Sequence, residues 1–320
     1  MAGSNAIYAT ARSERRESLL RLATRSDARG LAQLACHLGA LCATGALVWW
    51  TRSTWWLLPA MLLHGIVLVF LFAPLHESIH WTAFRSRRLN DAVAWACGAL
   101  LLLPPAYFRA FHFAHHRHTQ DPLRDPELAT PKPRTLGGYL WHVSGLPYWR
   151  ERVATTARHA YGRVEEPFIG VRQRSAIVRE ARLLLGLYAL AGLASIALAS
   201  PALFYLWLVP ALLGQPFLRL YLLAEHTGCP LVANMLENSR TTRSLAPIRR
   251  LAWNMPYHAE HHAYPALPFH ALPAAHRVLK AEIAVQATGY VAVHREIVAA
   301  LEPFGSANDQ PKLSRSDRRG

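Results

Sequence analysis

Charge is the first thing this chain lacks. Only 17% of its 320 residues are charged, against about 25% in a soluble domain. Acidic residues are the scarcer kind: 20 against 35 Lys and Arg, for a formal net charge of +15. Cysteine is nearly absent too. Cys36, Cys42, Cys97 and Cys229 form no CxxC pair, which argues against a disulfide framework, a zinc finger and an iron–sulfur set. Three of them lie in apolar segments, where a cysteine reads as a small buried hydrophobe. No dinucleotide glycine fingerprint follows a strand, and no His-Pro-Gly-Gly haem signature occurs. The positive charge comes with no DNA or RNA recognition motif. The arginines flank apolar spans, so they read as membrane topology, with no nucleic-acid partner.

What is abundant is apolar: 52% of the chain is hydrophobic, with ten Trp. Four runs, approximately 31–50, 55–74, 181–199 and 202–224, approach the roughly 20 residues that a bilayer crossing takes. The links at Thr51–Thr54 and Ser200–Pro201 are short, so the runs form two helical hairpins. Ala92–Pro105 is apolar for only about a dozen residues, short for a crossing. It is expected to dip in and return or to lie in the interface. Residues 1–30 carry Arg12, Arg15, Arg16, Arg21, Arg25 and Arg29 and show no cleavage site, which suits a cytoplasmic arm rather than a signal peptide. Residues 31–304 form the membrane domain, and 305–320 read as a disordered tail. Residues 274–302 predict an amphipathic cytoplasmic helix. The expected architecture is an all-α integral membrane protein of four transmembrane helices with a cytoplasmic helical cap. It belongs in the inner or cell membrane, with both termini cytoplasmic by the positive-inside tendency.

Nine of the seventeen histidines fall into four groups: His76/His80, His112/His115/His116, His226 and His258/His261/His262. Two groups repeat His-x-x-His-His. On a helix, positions i, i+3 and i+4 share a face, so each group can aim its rings at one point. All four groups follow spans two or four, or lie between spans two and three, and so emerge on one side. Nine imidazoles suit two metal ions, and imidazole accepts iron, zinc, copper or nickel alike. Asp121, Asp125, Glu77, Glu225 and Glu260 sit beside the histidines as orienting partners. His37, His64, His118, His142, His159, His270, His276 and His294 stand outside the pattern. His118 would point away from the 112/115/116 face.

Two other classes are weighed. His76-Glu77-Ser-Ile-His80 also spells the zinc-protease signature, with Glu77 as the general base; that reading leaves both His-x-x-His-His boxes unexplained. A metal transporter needs polar groups at mid-membrane, where the spans offer little beyond His64.

The order His-x3-His, His-x2-His-His, His-x2-His-His between hydrophobic hairpins resembles the membrane fatty-acid desaturase and hydroxylase superfamily over roughly residues 40–280. Glu225-His226-Thr-Gly228 is similar to an element that supplies a further ligand in alkane hydroxylases. Trp253 to His262 is similar to the third box of bacterial desaturases and hydrocarbon oxygenases. The resemblance implies a di-iron centre on His76, His80, His112, His115, His116, His226, His258, His261 and His262, on the cytoplasmic side. It implies O2 as co-substrate and oxidation of an unactivated C–H bond of an acyl or alkyl, lipid-like chain. Fatty-acid desaturation is the leading expectation, with a hydroxylase or monooxygenase of the alkane or lipid type as the alternative. Electrons would come from a separate ferredoxin, rubredoxin or cytochrome with its reductase, and Arg117, Arg172, Arg174, Arg249 and Arg250 could steer such an acidic donor. The sequence departs from animal acyl-CoA desaturases at Leu222, where they place Asn, and in the three-residue spacing of the first box.

Overall fold

The computed structural model describes residues 17–302. Four helices are long and apolar enough to cross a membrane: α1 (Asp27–Thr51), α2 (Leu57–Ile79), α7 (Val171–Ala197) and α8 (Phe204–His226). Between α2 and α7 lie α3 (Arg87–Leu100), α4 (Pro105–His118), α5 (Leu136–Val143) and α6 (Leu146–Ala160). After α8 come α9 (Met235–Asn238), strand β1 (Arg240–Arg243), α10 (Ala246–Leu251), α11 (His258–Ala263), α12 (Leu272–Leu279), strand β2 (Val285–Thr288) and α13 (Tyr290–Ala299). The expected arm of residues 1–30 lies partly outside the described residues, and the expected tail wholly so. Within the arm, Ser26 caps α1 by accepting from the Arg29 amide at 3.3 Å, and Leu19 is buried against the cap helices.

Burial sorts the spans into a centre and flanks. The apolar window of α2 is 61% buried within the protein and that of α8 39%, against 17% for α1 and 11% for α7. Leu187, Leu190, Leu193 and Ile196 on α7 are therefore left for lipid. The central pair can approach closely because Gly65 and Gly214 meet where the helices cross. A Cβ on either would overlap the backbone of the other helix, the role that small residues play between spans. His64 ties three spans together: Nδ1 lies 2.8 Å from Thr44 Oγ1, and Nε2 donates to the Leu206 carbonyl at 3.0 Å. It is a packing residue. Cys97 is buried, but Cys36 and Cys42 are exposed on α1. A flank helix turns such side chains to lipid instead of into a core, so the expectation of buried cysteines fails at these two.

The Ala92–Pro105 segment is sharply bent. The axes of α3 and α4 meet at 97°. Leu102 takes a left-handed backbone (φ 54°) at the corner, and the Leu103 amide donates back to Gly98 at 2.9 Å. Pro104 and Pro105 then start α4, where a missing N–H costs nothing. Across the bend, the rings of His80 and His112 stand 4.9 Å apart.

The protein is mostly but not wholly helical. β1 and β2 pair in parallel, Arg240 with Val285 through Arg243 with Thr288. The single helix expected over 274–302 is thereby broken into α12, β2 and α13. Ile283, Val285 and Ala287 repeat with period two, the strand period. Gly289, at φ 81°, then turns the chain into α13.

Candidate metal centre

Each histidine group is delivered by the end of an element. His76 and His80 close α2, His112, His115 and His116 occupy the last turns of α4, His226 ends α8, and α11 carries the rest. The approach to α11 is held in an unusual conformation. Trp253 and Asn254 both have positive φ (48° and 59°), which Asn tolerates and Trp rarely adopts. Trp253 is fully buried and donates from Nε1 to His37 Nδ1 at 3.3 Å, while Asn254 Nδ2 donates to the Phe269 carbonyl at 3.2 Å. That turn aims α11 at the ends of α2, α4 and α8.

The nine rings converge. Ligand atoms of His76, His80, His112, His116 and His261 lie within 4.8 Å of one another, and so do those of His115, His226 and His262. His258 joins the second group, its Nε2 standing 2.9 Å from His226 Nε2. The groups touch where His116 stacks on His262, ring centres 4.1 Å apart. His118 belongs to neither group.

The second group has its tautomers set from behind. His115 Nδ1–H donates to Asp125 Oδ1 at 2.9 Å, and His226 Nδ1–H donates to the Asn238 carbonyl at 3.1 Å. Thr119 gives its own proton to the His115 carbonyl at 2.7 Å, so its oxygen accepts from His262 Nδ1 at 3.2 Å. Each Nε2 then presents a lone pair inward. His115 Nε2 and His226 Nε2 are only 3.2 Å apart, two acceptors that cannot bond to each other. Two nitrogens each about 2.1 Å from one ion at a right angle would stand about 3 Å apart. In the first group His112 and His261 Nε2 lie 2.9 and 3.1 Å from His116 Nε2. His80 Nε2 and His262 Nε2 are buried without any partner, a state that buried polar atoms seldom keep. The arrangement fits two cations, and these nine residues could hold them.

Electrostatics favour the metal-binding form. Burial pushes the pKa of His80, His112, His116, His258, His261 and His262 well below the usual imidazole range, and their neighbours push the same way. Neutral imidazole is the ligand form. His115 is the exception. Burial lowers its pKa, but the Glu127 charge and the Asp125 bond outweigh burial and raise it.

Of the five acids expected beside the rings, two are there. Asp125 holds His115, and Glu225 Oε1 lies 3.3 Å from His258 Nδ1. Glu77 is fully buried but accepts from Thr82 Oγ1 at 2.8 Å and the Phe269 amide at 3.1 Å. Glu260, equally buried, is bonded to Thr241 and His276. Both acids brace the box helices against the cap and leave the rings alone. Glu77 is therefore turned away from the role of a protease base. Asp121 faces the Leu123 amide and Arg124. Sequence reasoning missed Thr119 and Asn238. Thr119 is adjacent to the second box and so was findable; Asn238 acts through its backbone carbonyl, which no sequence pattern marks.

A cavity of about 250 Å³ reaches the histidines, lined by His76, His112, His115, His226 and His258 and by Phe72, Phe108 and Leu222. A second, apolar cavity of about 700 Å³ lies between α2, α8, α10 and α13. The two share Phe70 and Tyr221, whose rings meet edge to face at 5.3 Å.

Residues 53–294 match the fatty acid desaturase family, and the chain belongs to that family of membrane oxidoreductases. It is 28% identical over 290 residues to the dihydrorhizobitoxine desaturase of Bradyrhizobium elkanii, covering 81% of this chain and 74% of that one. It is 23% identical over 249 residues to the sphingolipid delta(4)-desaturase DES1 of Drosophila melanogaster, covering 71% and 67%.

Proposed function

We propose that this chain is a membrane di-iron oxidase that desaturates an acyl or alkyl chain, with hydroxylation as the alternative outcome at the same site. The observation that carries the reading is the convergence of nine imidazoles from four elements into two groups at the membrane edge, beside an apolar cavity. His76, His80, His112, His116 and His261 would hold one iron, and His115, His226, His258 and His262 the other. When bound, the pair would supply O2 activation, with electrons from a separate ferredoxin, rubredoxin or cytochrome.

The chain's own residues do the rest. Asp125, Thr119 and the Asn238 carbonyl fix ring tautomers so that lone pairs face inward. Phe72, Phe108 and Leu222 line the wall near the rings with carbon, which excludes water and positions a hydrocarbon segment. The larger apolar cavity lies on the other side of the contacting Phe70 and Tyr221 rings. The arginine-rich loops favour a cytoplasmic histidine side, and the exposed Arg117, Arg172 and Arg174 would there meet an acidic donor. Both relatives are named as desaturases, of a sphingolipid and of dihydrorhizobitoxine, which favours desaturation over hydroxylation.

The test is direct. Membranes containing the protein, a donor system and candidate lipids are analysed by mass spectrometry. Loss of two hydrogens is expected; gain of one oxygen selects the hydroxylase, and neither change with two irons bound defeats the proposal. Metal analysis separates the remaining class, since one zinc per chain supports a protease.

A further inference from the structure

The histidine-lined cavity has a second end that C–H oxidation does not explain. Arg219 lies seven residues before His226 on α8, two turns or about 10 Å along the same helix face. It sits in a membrane-spanning helix, yet no described carboxylate forms an ion pair with it. Its contacts are neutral. The Gln215 side-chain carbonyl, in the orientation its hydrogen bonding requires, accepts from Nε at 3.0 Å and Nη2 at 3.2 Å. The guanidinium carbon stands 4.3 Å over the Tyr148 ring. A charge in a spanning helix is costly, and such residues mark ligand paths.

Arg152 reaches the same end from α6. It is 7% exposed, and its Nε has no hydrogen-bond partner although the side chain lines the cavity. Nη2 donates to Glu151 at 2.6 Å, a carboxylate whose side chain is 58% exposed. Among the described residues Glu151 is the one carboxylate ion-paired to either guanidinium. The other acids of the cavity, Glu127 and Glu225, lie beside His115 and His258, within charge range of Arg219 but not ion-paired to it.

We propose that Arg219 and Arg152 form a carboxylate-binding subsite for the substrate's head, so that the substrate is an acid-headed hydrocarbon chain and not a neutral ester or amide. Guanidinium forks match a carboxylate with paired, charge-assisted bonds. The cavity volume of about 250 Å³ admits a head of a few atoms and a stretch of chain. The two-turn offset from Arg219 to His226 then fixes the oxidised carbon by its distance from the acid. That last consequence rests on the oxidase reading; the subsite itself does not.

Binding separates the two. Full-length protein in uncharged detergent is titrated with palmitate, methyl palmitate and an alkyl phosphate of the same length, and oxidation is scored separately by mass spectrometry. Palmitate is expected to bind about tenfold tighter than its ester or more, the worth of a charge-assisted pair. Arg219→Gln should collapse that difference, and Arg219→Lys should keep part of it. Equal affinity for acid and ester in the wild-type protein overturns the subsite even if both are oxidised, and so does a preference for the alkyl phosphate. Preference for palmitate with no lipid oxidised supports the subsite and defeats the oxidase. The wild-type comparison stands even if the Arg219 variants fail to fold.

Discussion

The two histidine groups are built differently. In the group of His115, His226, His258 and His262, three Nδ1 atoms have a protein acceptor, a buried carboxylate, a backbone carbonyl and a hydroxyl, and His258 Nδ1, without a hydrogen bond, has the Glu225 carboxylate 3.3 Å away. In the group of His76, His80, His112, His116 and His261, the Nδ1 atoms of His76, His116 and His261 are buried with no partner. The first design orients its rings through outer hydrogen bonds, and the second orients them through helix ends packed together. Glu77 and Glu260 fit that contrast. Each brings a full carboxylate into the interior and spends it on backbone and cap contacts that hold α2 and α11 in place. Pre-orientation is therefore local for one group and architectural for the other.

Ligand removal is the strongest way to break the comparison. His261→Ala and His262→Ala should each abolish turnover, and each should lower iron from two per chain toward one, from the first and second group respectively. Metal analysis with a turnover assay reads both. Retained turnover in His261→Ala removes that residue from the centre, and loss of both irons in either variant shows that the groups do not fill independently.

Asp125→Asn sharpens the contrast. Loss of the carboxylate behind His115 should weaken the second metal by about 10- to 100-fold, measured by chelator competition, while the first group keeps its affinity. The first group offers no equivalent single change at His76, His116 or His261, whose Nδ1 atoms have no partner to remove. Equal weakening at both positions would show that Asp125 supports the fold of α4 and not one ring.

How much of this was legible in the sequence follows the same division. Period and spacing carried the spans, the hairpins and the four histidine groups, because a helix face and a bilayer thickness are both written in local pattern. The bend at Leu102 was legible as well, since a dozen apolar residues closed by Pro104-Pro105 are short for a straight crossing. What stayed hidden depended on distant pairing. The β1–β2 ladder needs Val285 to find Arg240, and nothing near either strand announces the other. The roles of Glu77 and Glu260 were misread because adjacency along the chain put them beside histidines, while helix geometry turned their carboxylates the opposite way. Arg219 was hidden inside an apolar run, where a single charge looks like noise.

Acid should act on the metal-free protein with a definite sign. Six imidazoles outside the spans have pKa values held well below the free value of about 6.5 by burial. The folded state keeps them neutral while the unfolded state takes up protons, so stability falls as pH drops below about 6.5. His115, whose pKa is raised, works against the trend. Glu166 is the control. Burial raises its pKa, but bonds from His159 and Arg158 win and bring it down to about 2. Its contribution is present above the ordinary carboxylate pKa and is lost only as pH falls from about 4.5 toward 2. Unfolding midpoints against pH should therefore show a first loss below 6.5 that bound metal suppresses, and a second below 4.5 that Glu166→Gln removes. A single acid transition insensitive to metal would mean that the rings are not the first groups to protonate.

Thr119→Val makes the smallest change and isolates what charge adds. Val keeps the shape of Thr but removes the acceptor behind His262 and the donor to the His115 carbonyl. The lost acceptor is neutral, whereas Asp125 is an anion, and hydrogen bonds to ionised groups are roughly twice as strong. Second-site affinity should therefore fall by less than in Asp125→Asn, by several-fold, with the first group unchanged. If the two variants weaken the metal equally, ring orientation alone is what the outer bonds supply, and the Asp125 charge adds nothing to the basicity of His115. If Thr119→Val is silent, the stacking of His262 on His116 suffices to hold that ring, and the second group relies on packing as the first one does.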